Sequence, residues 1–212
     1  MRAASVDSRS DIAPEGLPRA AAPRFGSLPN ILTYGRIIAI PALVACFFVT
    51  GDWGRWTAMW IFIAAGVSDF LDGYLARAWG QQSAIGRMLD PIADKLIVAA
   101  ALLMLAADQT IAGWSLWAGV IILCREILVS GFREFLGQLA VGVPVTRLAK
   151  WKTVVQMVAI GFLLAGSAGD KIWPYTTSFG LSLLWIAALL TLYTGYDYLL
   201  ATIRHIKAGE EA

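Results

Sequence analysis

Residues Val67 to Lys95 read VSDFLDGYLARAWGQQSAIGRMLDPIADK, a run of regularly spaced charges set between long apolar stretches. On a helix Asp69 and Asp72 lie three residues apart and share a face, with Gly73 and Arg77 four apart one turn further on. In the next segment Gly86, Asp90 and Asp94 recur every four residues, again on one face. The polar link Ala78 to Ser83 is short, so the two helices are expected to run antiparallel with these faces opposed. That arrangement gathers four carboxylates. Close carboxylates repel and cannot all stay ionised without compensation. Bound cations answer this, and with only oxygen ligands, and neither His nor Cys in the stretch, the metal expected is hard. Magnesium or manganese fits better than zinc, and four carboxylates carry enough charge for two ions.

The surrounding composition shows where those carboxylates sit. The chain has 212 residues, 58% of them hydrophobic and only 15% charged, with a mean hydropathy of +0.65. A soluble domain carries about 25% charged residues. The apolar excess is too large for a soluble core of this length, so the expected fold class is an all-α membrane protein of one domain. A spanning helix needs roughly 20 mainly apolar residues. Six candidates emerge, at 31–50, 57–79, 87–107, 112–136, 149–167 and 178–203. Intramembrane charges are costly, and those that persist mark function.

Orientation follows from the basic residues. With the first 30 residues cytosolic, only Arg55 and Lys171 of the 17 Lys and Arg fall in outer loops, and six spans return Arg204 and Lys207 to the cytosol. Trp53, Trp56, Trp60, Trp114, Trp117 and Trp173 then gather at the outer ends, where indole rings favour the interface. Residues 1–27 contain no continuous apolar run and read as a flexible cytosolic tail, neither signal nor span. The six-helix unit is expected over 28–207, with 208–212 a short C-terminal tail. Cys46 and Cys124 both fall inside predicted spans, which speaks against a disulfide framework or a Cys-based metal site. The net charge of +2 gives no reason to expect a nucleic-acid partner.

Small residues accompany the carboxylates. Gly73, Ala76 and Gly86 strip side chains from the helices beside them, letting a ligand approach the backbone, and Arg77 brings a guanidinium suited to phosphate oxygens. A single glycine in a membrane helix more often serves helix packing; the set describes a seat for a nucleotide diphosphate. The pattern D-x-x-D-G-x-x-A-R-x8-G-x-x-x-D-x-x-x-D, eight identities between Asp69 and Asp94, resembles the signature of the CDP-alcohol phosphatidyltransferases. This resemblance implies a six-helix fold, a homodimer and a cytosol-facing active site in a bacterial inner membrane, with both termini cytosolic. It further implies that Asp69, Asp72 and Asp90 ligate metal and that Asp94 is both ligand and general base. Gly73, Ala76, Arg77 and Gly86, with Asp69 and Asp72, would line the site for CDP-diacylglycerol.

A second group of basic residues bears on the acceptor. Arg125 and Arg133 are eight apart, about 12 Å along one face by the usual 1.5 Å rise, and Arg147, Lys150 and Lys152 follow beyond Pro144. Cationic side chains near a cytosolic helix end also satisfy the positive-inside bias or reach headgroups. Arg125, near the middle of an apolar run, is poorly placed for that, though pairing of either Arg with Glu126 or Glu134 would be a purely structural role. The functional alternative is an anion pocket for an acceptor bearing its own phosphate. REILVSGFREFLG (125–137), LPNILTYGRI (28–37) and KWKT (150–153) are similar to the phosphatidylglycerophosphate synthase branch of the family. By that resemblance Arg125, Arg133 and Lys150 hold the phosphate of glycerol 3-phosphate.

Asn30, after a proline, is read as the N-cap of the first helix. Arg36 suits either the donor headgroup or an interfacial anchor. His205, the only histidine, lies in a basic tail far from the aspartates and is read as solvated. A cation-coupled transporter would also explain intramembrane aspartates but gives no reason for Ala76, Arg77 and Gly86 at fixed spacing. Nearer competitors keep the reaction and change the acceptor to inositol phosphate, serine or phosphatidylglycerol.

Overall fold

The structure, a computed structural model, describes residues 28–79, 84–138 and 147–210. The expected N-terminal tail 1–27 and the last residues, 211 and 212, lie outside the described residues, as do the side chains of 72–79 and 84–87. The described chain is all helix: α1 (Leu28–Cys46), α2 (Asp52–Trp79), α3 (Ala84–Ala107), α4 (Ser115–Gln138), α5 (Arg147–Asp170) and α6 (Thr176–Glu210). Each of the six apolar stretches falls on one helix. Helix α1 starts earlier than expected, so Asn30 sits within its first turn and is not its N-cap; Pro29 occupies an early position where a missing N–H breaks no helical hydrogen bond.

Among the described residues three helices are long and apolar enough to cross a membrane: α4 over Ser115–Glu134, α5 over Lys150–Asp170 and α6 over Thr176–Tyr196. Leu32–Cys46 in α1 is apolar but shorter. Helices α2 and α3 carry charges within their length, Asp52, Arg55 and Asp69 in one and Asp90, Asp94 and Lys95 in the other.

Helix α1 packs against both α2 and α3, which make few contacts with each other. The expected direct opposition of the two carboxylate-bearing faces is therefore corrected: α1 lies between them. Helices α5 and α6 form the most extensive pair, α4 packs on α6, and α2 joins the two groups through α5. Lipid chains are as apolar as Leu, so helices in a membrane associate through close packing of small residues. The buried set matches, with Ala58, Ala65, Ala101, Ala118, Ala159, Ala187 and Ala188 beside Leu43, Phe62, Leu105, Ile122, Leu163 and Leu184.

One end of the bundle is clamped by ion pairs between connections. Arg55 pairs with Asp108 and donates to Thr110 Oγ1 at 2.7 Å, while Lys171 donates to Asp52 at 2.7 Å. Arg55 also lies 5.3 Å above the Phe47 ring, and it packs against the break in α5 at Gly166 (φ 42°, ψ −125°). Trp53 and Trp114 are strongly exposed near this end. The apolar core lies towards the clamped end, drawn from the late residues of α1, α3 and α5 and the early residues of α2, α4 and α6.

The α5–α6 contact depends on Gly180, where an added Cβ would stand 2.9 Å from Leu163 Cγ and 3.2 Å from the Leu163 backbone nitrogen. Gly180→Ala is expected to cost about 1–3 kcal/mol by overpacking. It should lower the thermal unfolding midpoint in detergent by several degrees, whereas Gly119→Ala, which meets no atom within 4 Å, should not lower it.

Candidate active site

The site forms at the end opposite the clamp, where α1 supplies what the carboxylates need. Thr33 and Arg36 lie three apart on one face of α1 and both are buried. Thr33 Oγ1 donates to Asp90 Oδ1 of α3. Arg36 Nη1 donates to Asp94 Oδ1 at 2.8 Å and lies 2.9 Å from Asp69 Oδ1 of α2. The Arg36 side chain is fully enclosed, while Asp69 and Asp94 each keep over 40% of their side-chain surface open. A guanidinium in this position is stabilised by pairing, because an isolated buried charge is expensive. It also lets two carboxylates approach without net repulsion. Pro91, which lacks an N–H, interrupts the α3 ladder between Asp90 and Asp94, and Lys95 Nζ donates to the Pro91 carbonyl at 2.9 Å.

Of the expected metal ligands, Asp69, Asp90 and Asp94 are brought together through α1. The side chains of Asp72, Ala76 and Arg77, and the surroundings of Gly73 and Gly86 on their helices, lie outside what is described. Among the described residues no three acidic, His or Cys side chains close on a single point. The chemistry of the donor set still fits a hard divalent cation. Asp69 Oδ1 and Asp94 Oδ1 reach the same guanidinium nitrogen, and both present oxygen with open surface on one side.

Acidic and basic side chains line one cavity of about 1310 Å³. Arg36, Asp69 and Asp94 line it, and so do Arg125, Arg133 and Lys150, the three cations expected to hold an acceptor phosphate. Arg125 is nearly buried, at 11% side-chain exposure. Its Nε donates to the Thr191 carbonyl at 3.2 Å and its Nη2 to Thr194 Oγ1 at 3.0 Å, both on α6. Gly195 makes room for it: a Cβ there would lie 3.2 Å from Arg125 Cγ. Arg133 and Lys150 are exposed.

Sequence reasoning underweighted Arg36 and Lys152 and missed Thr33, Glu126 and Gln156 as parts of the site. Lys152, which the sequence leaves open between a headgroup anchor and part of an anion pocket, is 3% exposed, lines the cavity and bonds Glu126 Oε1. Lys150, two residues earlier, lines the same cavity from an exposed position. Glu126 does pair structurally, with Lys152 in the main and with Arg125 Nη1 only at 3.7 Å.

Comparison with known proteins agrees with this geometry. The family model for CDP-alcohol phosphatidyltransferase matches residues 26–193. A CDP-diacylglycerol–glycerol-3-phosphate 3-phosphatidyltransferase of Cereibacter sphaeroides is 40% identical over 215 residues, covering 85% of this chain and 97% of that protein. One of the same name from Rickettsia bellii is 44% identical over 172 residues, covering 81% and 93%. A cardiolipin synthase (CMP-forming) of Oryza sativa subsp. japonica is 36% identical over 202 residues, covering 89% of this chain and 61% of that protein. With a signature intact from Asp69 to Asp94, Asp69 and Asp94 meeting on one guanidinium, and a match over most of its length, the chain belongs to the CDP-alcohol phosphatidyltransferase family.

Proposed function

We propose that this protein transfers a phosphatidyl group from CDP-diacylglycerol to glycerol 3-phosphate, giving phosphatidylglycerol phosphate and CMP. The observation that carries the reading is that Asp69 and Asp94 line the same cavity as Arg125, Arg133, Lys150 and Lys152. The names and coverage of the relatives from Cereibacter and Rickettsia support it. Serine has no use for four cations. Phosphatidylglycerol, the acceptor suggested by the rice relative's name, carries only a phosphodiester, with less charge to match them.

In this reading all six helices span a bacterial inner membrane with both termini and the site facing the cytosol, and the protein works as a homodimer. Asp69, Asp72, Asp90 and Asp94 hold magnesium or manganese, two ions by charge. When bound, such ions supply positive charge to the diphosphate and to departing CMP. Gly73, Ala76 and Gly86 leave room for the CDP group, and Arg77 lies along the diphosphate. The donor's acyl chains stay among apolar side chains.

Asp94 takes the proton from the primary hydroxyl of glycerol 3-phosphate. That oxygen bonds to the phosphorus attached to diacylglycerol as the bond to CMP's phosphate oxygen breaks, in line. Arg36, bonded to Asp94, holds its carboxylate in place. Arg125, Arg133 and Lys150 hold the acceptor's phosphate, and Lys152 adds to their field from the buried wall.

The test is CMP release by purified protein from CDP-diacylglycerol with magnesium or manganese, each acceptor being supplied in turn. Glycerol 3-phosphate should support turnover, and inositol phosphate, serine and phosphatidylglycerol should not; preference for any of these three would overturn the assignment. Asp94→Asn should abolish turnover, by at least about 10²-fold as for a lost general base, while the protein still inserts and melts normally. Arg125→Ala should raise KM for glycerol 3-phosphate at least tenfold and leave KM for CDP-diacylglycerol within twofold, as expected for loss of a charged hydrogen bond. Equal losses for both substrates would make Arg125 a helix-packing residue held by Thr191 and Thr194.

A further inference from the structure

Gln156 is one turn beyond Lys152 on the same face of α5 and is 3% exposed. It lines the cavity shared by Asp94 and the basic residues. Its Oε1 is enclosed and accepts no hydrogen bond from any described residue. Buried polar atoms are almost always paired, and leaving one open is costly. An unpaired acceptor on a residue that lines a binding cavity is therefore suited to a donor that arrives with the ligand, met as the carboxamide turns towards it.

The chemistry of the neighbours narrows that donor. Lys152, the nearest cation along the helix face, is bonded to Glu126, and Arg125 is directed to Thr191 and Thr194. A phosphate dianion has no proton to give. Between the phosphate and the reacting primary hydroxyl of glycerol 3-phosphate there is one group that has, the secondary hydroxyl on the middle carbon. A hydroxyl both donates and accepts, so it satisfies either end of a carboxamide.

We propose that Gln156 binds this secondary hydroxyl and so sets the preference for a glycerol phosphate over a phosphorylated alcohol that lacks it. The proposal rests on the acceptor reading given above. Gln156 is thereby a specificity-determining residue, with no part in proton transfer.

The experiment compares glycerol 3-phosphate with 3-hydroxypropyl phosphate, the same chain without the secondary hydroxyl, as acceptors for the purified full-length enzyme. The wild type, Gln156→Leu and Gln156→Met are assayed with CDP-diacylglycerol and magnesium or manganese. Wild-type kcat/KM should favour glycerol 3-phosphate by roughly 10- to 100-fold, since a site that pairs a substrate hydroxyl rejects the analogue without it. Both variants should bring that ratio to within about threefold, through loss on glycerol 3-phosphate alone and with KM for CDP-diacylglycerol unchanged. Equal use of the two acceptors by the wild type overturns the proposal and needs no variant to fold. Proportional loss on both acceptors overturns it too, as does a loss that falls on CDP-diacylglycerol, which would assign Gln156 to the nucleotide. Turnover with inositol phosphate or phosphatidylglycerol, and with neither three-carbon phosphate, overturns the acceptor reading itself.

Discussion

The Arg36 guanidinium, enclosed between Asp69 and Asp94, is the interaction on which the site's architecture turns. Carboxylates from two helices cannot be brought together in a poorly solvated setting without positive charge between them. An arginine on a third helix supplies it, but only if that helix lies between the two. This explains why α1 packs on both α2 and α3 while those two hardly touch. Thr33, one turn earlier, extends the same logic to Asp90 with a hydroxyl in place of a charge. The first helix is thus as much part of the carboxylate site as the helices that carry the aspartates.

Charges of both signs line the cavity: Asp69 on α2, Asp94 and Lys95 on α3, Arg125, Glu126 and Arg133 on α4, and Lys150 and Lys152 on α5. Such charges cost stability unless each group has its own compensation. For Asp69 and Asp94 that is Arg36. For the basic residues it is Glu126, bonded to Lys152 and within reach of Arg125. The anchoring of Arg125 by α6 through Thr191 and Thr194 ties the basic residues to a helix that contributes none of those charges. A substrate pair in which one partner is drawn to cations held by carboxylates and the other carries a phosphate fits this arrangement.

Much of this was legible in the chain. Six apolar stretches gave six helices, because a run of about 20 apolar residues has few other solutions in a membrane. The spacing of Asp69, Asp90 and Asp94 on helix faces was readable for the same reason, since helical periodicity is local. What could not be read was which helix comes between. The short link between α2 and α3 suggested direct opposition, and nothing local shows that α1 intrudes. The sequence therefore leaves Arg36 open between a donor headgroup and an interfacial anchor, and offers Asn30 as a cap although the helix begins at Leu28. Lys152 and Gln156 were obscure for a related reason. A cation or amide near a helix end has the same sequence whether it faces headgroups or a cavity, and only the packing of α5 against α2 and α6 decides.

The distribution of packing along the bundle follows from the same electrostatics. The apolar core and the Arg55–Asp108 and Lys171–Asp52 pairs tie three connections together at one end. Close packing there is possible because few charges need accommodation between the helices. Towards the other end α3 makes few contacts with α4 and α5, and the cavity runs from Asp69, Asp94 and Arg133 along α2 and α5 to Trp173 and Thr176. Filling it with apolar side chains would improve packing and enclose Asp69 and Asp94, which keep open surface, without a ligand to meet them. A bundle pinned at one end and hollow along its length is what results when carboxylates are kept accessible, while the helices that present them are held in register from the far side.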